Sequence, residues 1–294
     1  RPMEGEERMA HTEAHAAEAH AHDHAPTAFI WKYVFSKDHK VIGIQYYVTA
    51  MLMALVAGLL AMLIRVQLAW PEKDYTWLGK IFPMGYDVGG GFGVMRPEFY
   101  AMLFTMHGTI MVFFVLSTAP VSGFGNLLIP LQVGARDMAF PFLNGLSFWT
   151  FLPGCIVILY SFFLSSRAAA AGWTSYPPLS ALRGAVPGSQ MGQTYWIIGM
   201  VFFIASFTMG GLNFVTTILN LRTKGLSLFR MPLTMWAMFL VAILGLLAFP
   251  ALVAACIMLV FDRHYGTSFF IPAQIALNNV PLLTQAGTPL HQGG

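Results

Sequence analysis

The sequence predicts an all-α protein, a polytopic bundle of transmembrane helices. Three observations predict it. Only 10% of the 294 residues are charged and 56% are hydrophobic, where soluble proteins carry about 25% charged residues. The mean hydropathy is +0.63. The apolar residues gather in five long runs, without the alternation of a membrane barrel strand. A run of about 20 apolar residues crosses a bilayer as one helix.

Taken in order, residues 1–30 read as a disordered cytoplasmic tail, because Ala, His and Glu dominate and few side chains are available to bury. The tail holds His11, His15, His20, His22 and His24, a tract that leaves metal binding open. It lacks the apolar core of a signal peptide. Trp31–Lys40 mixes aromatic and basic side chains, as a membrane interface does. The transmembrane region, 31–261, has helices expected at about 41–64, 101–133, 139–164, 195–221 and 232–260. Pro141, Pro153, Gly154 and Pro250 fall in these runs, and neighbouring helices re-satisfy the backbone groups such breakers free. Ala69–Phe99 and Ala168–Gly192 read as exposed loops, and 262–294 as a C-terminal segment.

Charge orients the bundle weakly. With the N-terminus inside, Lys32, Lys37, Lys40, Arg136, Arg222, Lys224 and Arg230 are inner; Arg65, Lys73, Lys80, Arg96, Arg167, Arg183 and Arg263 are outer. The two sets tie under the positive-inside rule. Arg65 lies within a helix end and Thr223–Arg230 has no acid, which tips the N-terminus to the cytoplasm. A net charge of +3 gives no argument for nucleic acid. Cys155 and Cys256 lie in apolar runs without CxxC spacing and read as packing residues.

His107 is the one ionisable side chain in Ala101–Val121. An imidazole at that depth is a functional-site candidate, and neutral imidazole is a common axial ligand of haem iron. A core histidine bonded to another helix is the alternative. Leu103, Phe104, Ile110, Met111 and Phe114 are helical neighbours that would wall a porphyrin.

Six segments extend the pattern in order: SKDHKVIGIQ with LIRVQL at 63–68, FTMHGTIMVFF, GFGNLLIPLQVGARDMAFPFLNGLSFW at 123–149, GWTSYPPL at 172–179, GLNFVTTILN at 211–220 and DRHYGTSFF at 262–270. Together they resemble subunit I of the A-type haem–copper oxidases across about 30–270. The resemblance implies a fold of twelve helices, of which these are the first five. The sixth would bring a copper histidine, its linked tyrosine and a proton-relaying glutamate; no HPEVY-like segment is present.

By resemblance, His107 is one axial ligand of a low-spin haem, expected to be haem a. Arg65 lies near a polar substituent of that haem, with a snorkelling arginine as the alternative. Tyr100 and Trp173 resemble aromatics near haem propionates, with an interfacial belt as the alternative. Asp137 matches the entrance of a proton channel, and Asn126, Asn144 and Ser206 match polar positions along it; Phe207 stands where a channel serine is usual. Asp137 is also expected to cap the helix before Met138 and to share a helical face with Asn144, seven residues on. Gln67 replaces a carboxylate ligand of a structural cation, so no such ion is expected through it. Asp262–Arg263 marks the outer end of the fifth helix.

The implied protein is a proton-pumping cytochrome c oxidase of a bacterial inner membrane that reduces oxygen to water. A second haem and copper belong to the full subunit but are not ligated by this chain. Implied partners are the remainder of subunit I, as a separate chain or missing sequence, oxidase subunits II and III, cytochrome c or quinol as donor, and membrane lipid. Arg1 at one end and a Gly-Gly at the other favour an incomplete sequence. A quinol oxidase, a non-catalytic haem-binding scaffold and a transporter with an intramembrane histidine remain alternatives.

Overall fold

The structure, a computed structural model, describes residues 29–71, 75–81, 86–87, 94–164, 167–186 and 189–271. The histidine tract and the segment from 272 onward lie outside the described residues. Five helices are long and apolar enough to cross a membrane: α1 (His39–Ala69), α2 (Pro97–Val133), α3 (Pro141–Phe163), α4 (Gly192–Asn220) and α5 (Leu233–Tyr265).

The residues that start and stop these helices do so for local reasons. Asp38 caps α1, its carboxylate accepting the Lys40 N–H at 2.8 Å. Pro97 and Pro141 open α2 and α3, where a missing N–H costs nothing. Gly134 (φ 77°) and Gly266 (φ 66°) end α2 and α5 in the left-handed region. Beyond Thr109, α2 winds more widely: Ile110–Leu116 and Thr118–Gly123 are π-helical. Pro120 has no N–H to give, and the Ser117 and Thr118 hydroxyls donate to carbonyls five residues back, Val112 at 2.8 Å and Phe113 at 3.1 Å.

The α1 residues that turn inward, Ile42, Tyr46, Ala50, Met53, Ala57 and Leu60, recur at helical spacing, while Leu52, Leu55 and Leu59 face outward. The sequence itself lets α3 and α4 approach closely. A Cβ on Gly154 would stand 3.2 Å from the Gly199 carbonyl, and one on Gly199 only 2.6 Å from Ile158. Phe114, Phe151 and Phe203 fill the centre, their rings 5.5–5.8 Å from that of Phe114. At the end where α1 begins, the Gln45 amide donates to the Tyr33 and Val34 carbonyls and Phe35 stacks on Trp149. At the opposite end the first loop has a short helix, Thr76–Ile81, and a two-residue antiparallel ladder, β1 (Tyr86–Asp87) with β2 (Val94–Met95). The second loop folds back over α2, α4 and α5.

Candidate haem and proton-uptake sites

His107 lies in the α-helical part of α2, at the margin of its buried stripe. Its Nδ1 is 3.0 Å from the carbonyl oxygen of Ala57 in α1. A carbonyl only accepts, so Nδ1 carries the proton and donates, and Nε2 keeps its lone pair. Ligand histidines are commonly oriented in this way, by a backbone carbonyl on the other ring nitrogen. The bond to another helix and the ligand role therefore use different atoms of one ring.

The residues expected to wall a porphyrin fall into two sets. Leu103, Ile110 and Phe114 are buried in the protein core, because they continue the stripe through Met106 at helical spacing. Phe104, about half exposed, and Met111 stay at the open side. In α1, Gly58 follows Ala57, and a Cβ there would meet nothing within 4 Å. Arg65 is seven residues further on the same face, exposed and without a hydrogen bond among the described residues. An apolar flank thus opens beside Gly58, with a guanidinium above it. A flat apolar ligand with a polar edge fits these residues.

Tyr100 is half-buried against the core two turns before His107. Trp173 lies against α2 itself: a Cβ on Gly108 would be 3.0 Å from its ring. The loop carrying it is tied down by Gly172, whose N–H donates to Thr105 Oγ1 at 3.0 Å. One turn further, Thr109 accepts the Trp196 indole N–H at 2.8 Å. Phe113, Trp173, Trp196, Met200, Cys256 and Phe270 help enclose a cavity of about 350 Å³. Thr105 and Thr109 had no signal in the sequence, where they read as helix-filling residues.

A second group of polar residues lies at the end of the bundle where α1 begins. Asp137 sits in the turn between α2 and α3, and its Oδ1 is 3.0 Å from His39 Nδ1 and accepts the Met138 N–H at 2.7 Å. It does not cap α3, which begins at Pro141 with Phe140 before it and no side-chain cap. It shares no helical face with Asn144 for the same reason: a residue before proline is biased out of helical geometry, and Phe140 has φ −127° and ψ 83°. Two α4 side chains hold the turn. Thr217 Oγ1 accepts the Ala139 N–H at 2.9 Å, and Asn213 accepts the Phe140 N–H at 2.9 Å.

Further along, Asn144 is fully buried, and neither atom of its side-chain amide has a hydrogen-bond partner among the described residues. Asn126 donates to the Ser122 carbonyl at 2.7 Å, and its Oδ1 has no partner among them. Ser147 donates to the Asn144 carbonyl at 2.7 Å and accepts from the Tyr46 hydroxyl at 2.9 Å; Ser206 lies 2.9 Å beyond Tyr46. Unpartnered buried amides cost about 1–3 kcal/mol each and are the kind of group that buried water satisfies. Beyond Ser206 the surroundings turn aromatic, Phe207 packing edge-on to Phe249 at 4.8 Å. His39, Tyr46, Ser147, Asn213 and Thr217 were missed because each meets its partners across long sequence separations.

The remaining singled-out residues are structural in what they touch. Gln67 donates to the Pro71 carbonyl at 3.4 Å. Cys155 and Cys256 are buried free thiols. Asp262 and Arg263 lie in the last turn of α5. Among the described residues no three His, Cys, Asp or Glu side chains gather as a metal site.

Comparison with known proteins shows the family of the chain. Residues 41–286 match the family described as cytochrome C and quinol oxidase polypeptide I. The chain is 43% identical over 255 residues to the alternative cytochrome c oxidase subunit 1 of Bradyrhizobium diazoefficiens, covering 87% of this chain and 40% of that one. It is 44% identical over 240 residues to cytochrome c oxidase subunit 1 of Synechocystis sp., covering 82% and 39%. Quinol oxidase subunit 1 of Bacillus subtilis is 37% identical over 245 residues, covering 82% and 34%. The chain spans about two fifths or less of the length of these relatives, and within that span it belongs to the cytochrome c and quinol oxidase polypeptide I family.

Proposed function

We propose that this chain is the N-terminal part of the catalytic subunit of a proton-pumping terminal oxidase, holding a low-spin haem through His107 and taking up protons at Asp137. The observation that carries the reading is the His107–Ala57 bond, which leaves Nε2 as the free basic nitrogen of a fixed ring. Haem, when bound, supplies one-electron transfer. Phe104 and Gly58 would lie against it, Arg65 would donate to a polar substituent, and Tyr100 and Trp173 would stand near its propionates.

Asp137 is half-exposed and accepts hydrogen bonds from a buried histidine and a backbone N–H, so its carboxylate is oriented yet open to solvent. Protons would pass from it toward Asn126 and Asn144 through water, and then along Ser147, Tyr46 and Ser206. Copper, the second haem and oxygen reduction belong to helices beyond these five, and the complex would include that remainder with oxidase subunits II and III in a bacterial inner membrane.

The test is made in the assembled oxidase. His107→Ala removes the low-spin haem band; an unchanged band sinks the haem role. Asp137→Asn leaves that band intact and slows turnover or lowers the pumping ratio about 10-fold or more, as loss of an acid–base group does; an unchanged rate and ratio sink the uptake role. Cytochrome c is the donor we favour, since the relatives matched at 43% and 44% identity carry that name. Quinol is the second reading, on the Bacillus relatives; purified complex turning over on quinol but not on cytochrome c decides for it.

A further inference from the structure

The loop between α3 and α4 forms almost no regular structure: within 167–186 and 189–191, one bridge pairs Ala168 with Gly192. Its carbonyl groups therefore need donors from elsewhere. Several converge on one side chain. Arg263, 3% exposed in the last turn of α5, donates from Nη1 to the carbonyls of Ser180 (2.6 Å) and Leu182 (3.4 Å), from Nη2 to that of Gln190, and from Nε to Thr194 Oγ1 (3.3 Å). No carboxylate pairs with it among the described residues. Only a planar guanidinium carries enough donors in a fixed fork to serve four acceptors together. The neighbouring Asp262 performs the reverse task, accepting the Thr267 hydroxyl and the N–H groups of Phe269 (3.0 Å) and Phe270 (2.8 Å).

The Asp262 bonds end on Phe270, which lines the cavity, and the Arg263 bonds end on Ser180 and Leu182, whose N–H groups donate back to the Tyr176 and Pro178 carbonyls on either side of the lining residue Pro177. Trp173, Ser175 and Pro177 of the loop line the cavity on one side and Phe270 on another. Trp173 in turn lies on Gly108, the residue after His107. We propose that Arg263 is a positioning residue: it fixes the outer wall of this cavity and, through Trp173, the α2 surface beside His107. The loop has few other anchors to α2 and α4: Gly172 on Thr105 and Ser175 on the Gln193 amide. Loss of the guanidinium frees three carbonyls at once, whereas loss of either lesser anchor frees one group.

The spectral part of the test rests on the haem reading of His107; the exchange part does not. In the assembled oxidase, Arg263→Met raises amide hydrogen exchange across residues 172–182 by about 10-fold and Thr194→Val by about 3-fold, because both open the loop locally, while α1 and α3 keep their rates. The low-spin haem band shifts in Arg263→Met and returns part-way in Arg263→Lys, which keeps the charge but not the fork. If Arg263→Met does not assemble, Thr194→Val decides. Unchanged exchange in the assembled variants overturns the proposal, and so does faster exchange with an unmoved band, which would reduce Arg263 to an anchor without reach to α2. A haem band surviving His107→Ala would remove the haem reading instead and leave the exchange result standing.

Discussion

At the scale of single residues, the two sites depend on atoms whose partners are fixed by default. His107 has one nitrogen committed to a carbonyl and one left free. The histidine was legible because it is the one ionisable group in its run; its acceptor was not, because a backbone carbonyl at Ala57 has no signature in a sequence. Tyr46 was missed for a related reason, since a tyrosine in an apolar helix reads as core. Its hydroxyl joins Ser147 to Ser206. Tyr46→Phe is expected to keep the haem spectrum, to cost about 1–3 kcal/mol through the serine hydroxyl left unsatisfied, and to slow proton uptake in flow-flash measurements. An unchanged uptake rate would take Tyr46 out of the path.

At the scale of elements, the helix runs were readable from hydropathy, while their winding and their ends followed side-chain chemistry that hydropathy averages away. The π-helical stretch of α2 comes from Pro120 and two hydroxyls in series. The start of α3 comes from Pro141, which put Asp137 in a turn and not on a helical face. Contacts between elements rest on small residues in the same way. A Cβ on Gly125 of α2 would stand 2.7 Å from the buried Phe214 ring of α4. Gly125→Ala is therefore expected to destabilise the bundle by about 1–3 kcal/mol, the range for overpacking. Adding Phe214→Leu should recover much of the loss. Thermal inactivation in detergent measures both, and an alanine variant as stable as the parent would contradict the packing described.

At the scale of the molecule, six ordered segments made the family readable before any contact was known, because their order carries more information than any one motif. The second loop read as exposed, yet Ala168, Ala169, Ser180 and Ala181 are fully buried, because Arg263, Thr105 and Gln193, from three other places in the chain, hold it down. The arrangement puts Lys37 at one end of the bundle and Tyr176 at the other, both exposed. With the N-terminus cytoplasmic, an impermeant thiol reagent applied to spheroplasts should label Tyr176→Cys and spare Lys37→Cys; the opposite pattern would invert the topology. That orientation bears on the hydroxyl chain across α1, α3 and α4. Ser147 gives its only hydrogen to the Asn144 carbonyl, so Tyr46 must give to Ser147 and Ser206 to Tyr46. Every O–H bond thus points back toward the Asp137 end, the polarity such a chain has after a charge has hopped outward along it. If protons pass along this row as proposed, all three hydroxyls have to swing round before the next hop, so the row would behave as a ratchet tooth that must be re-cocked, and that rotation would share in setting the tempo of uptake.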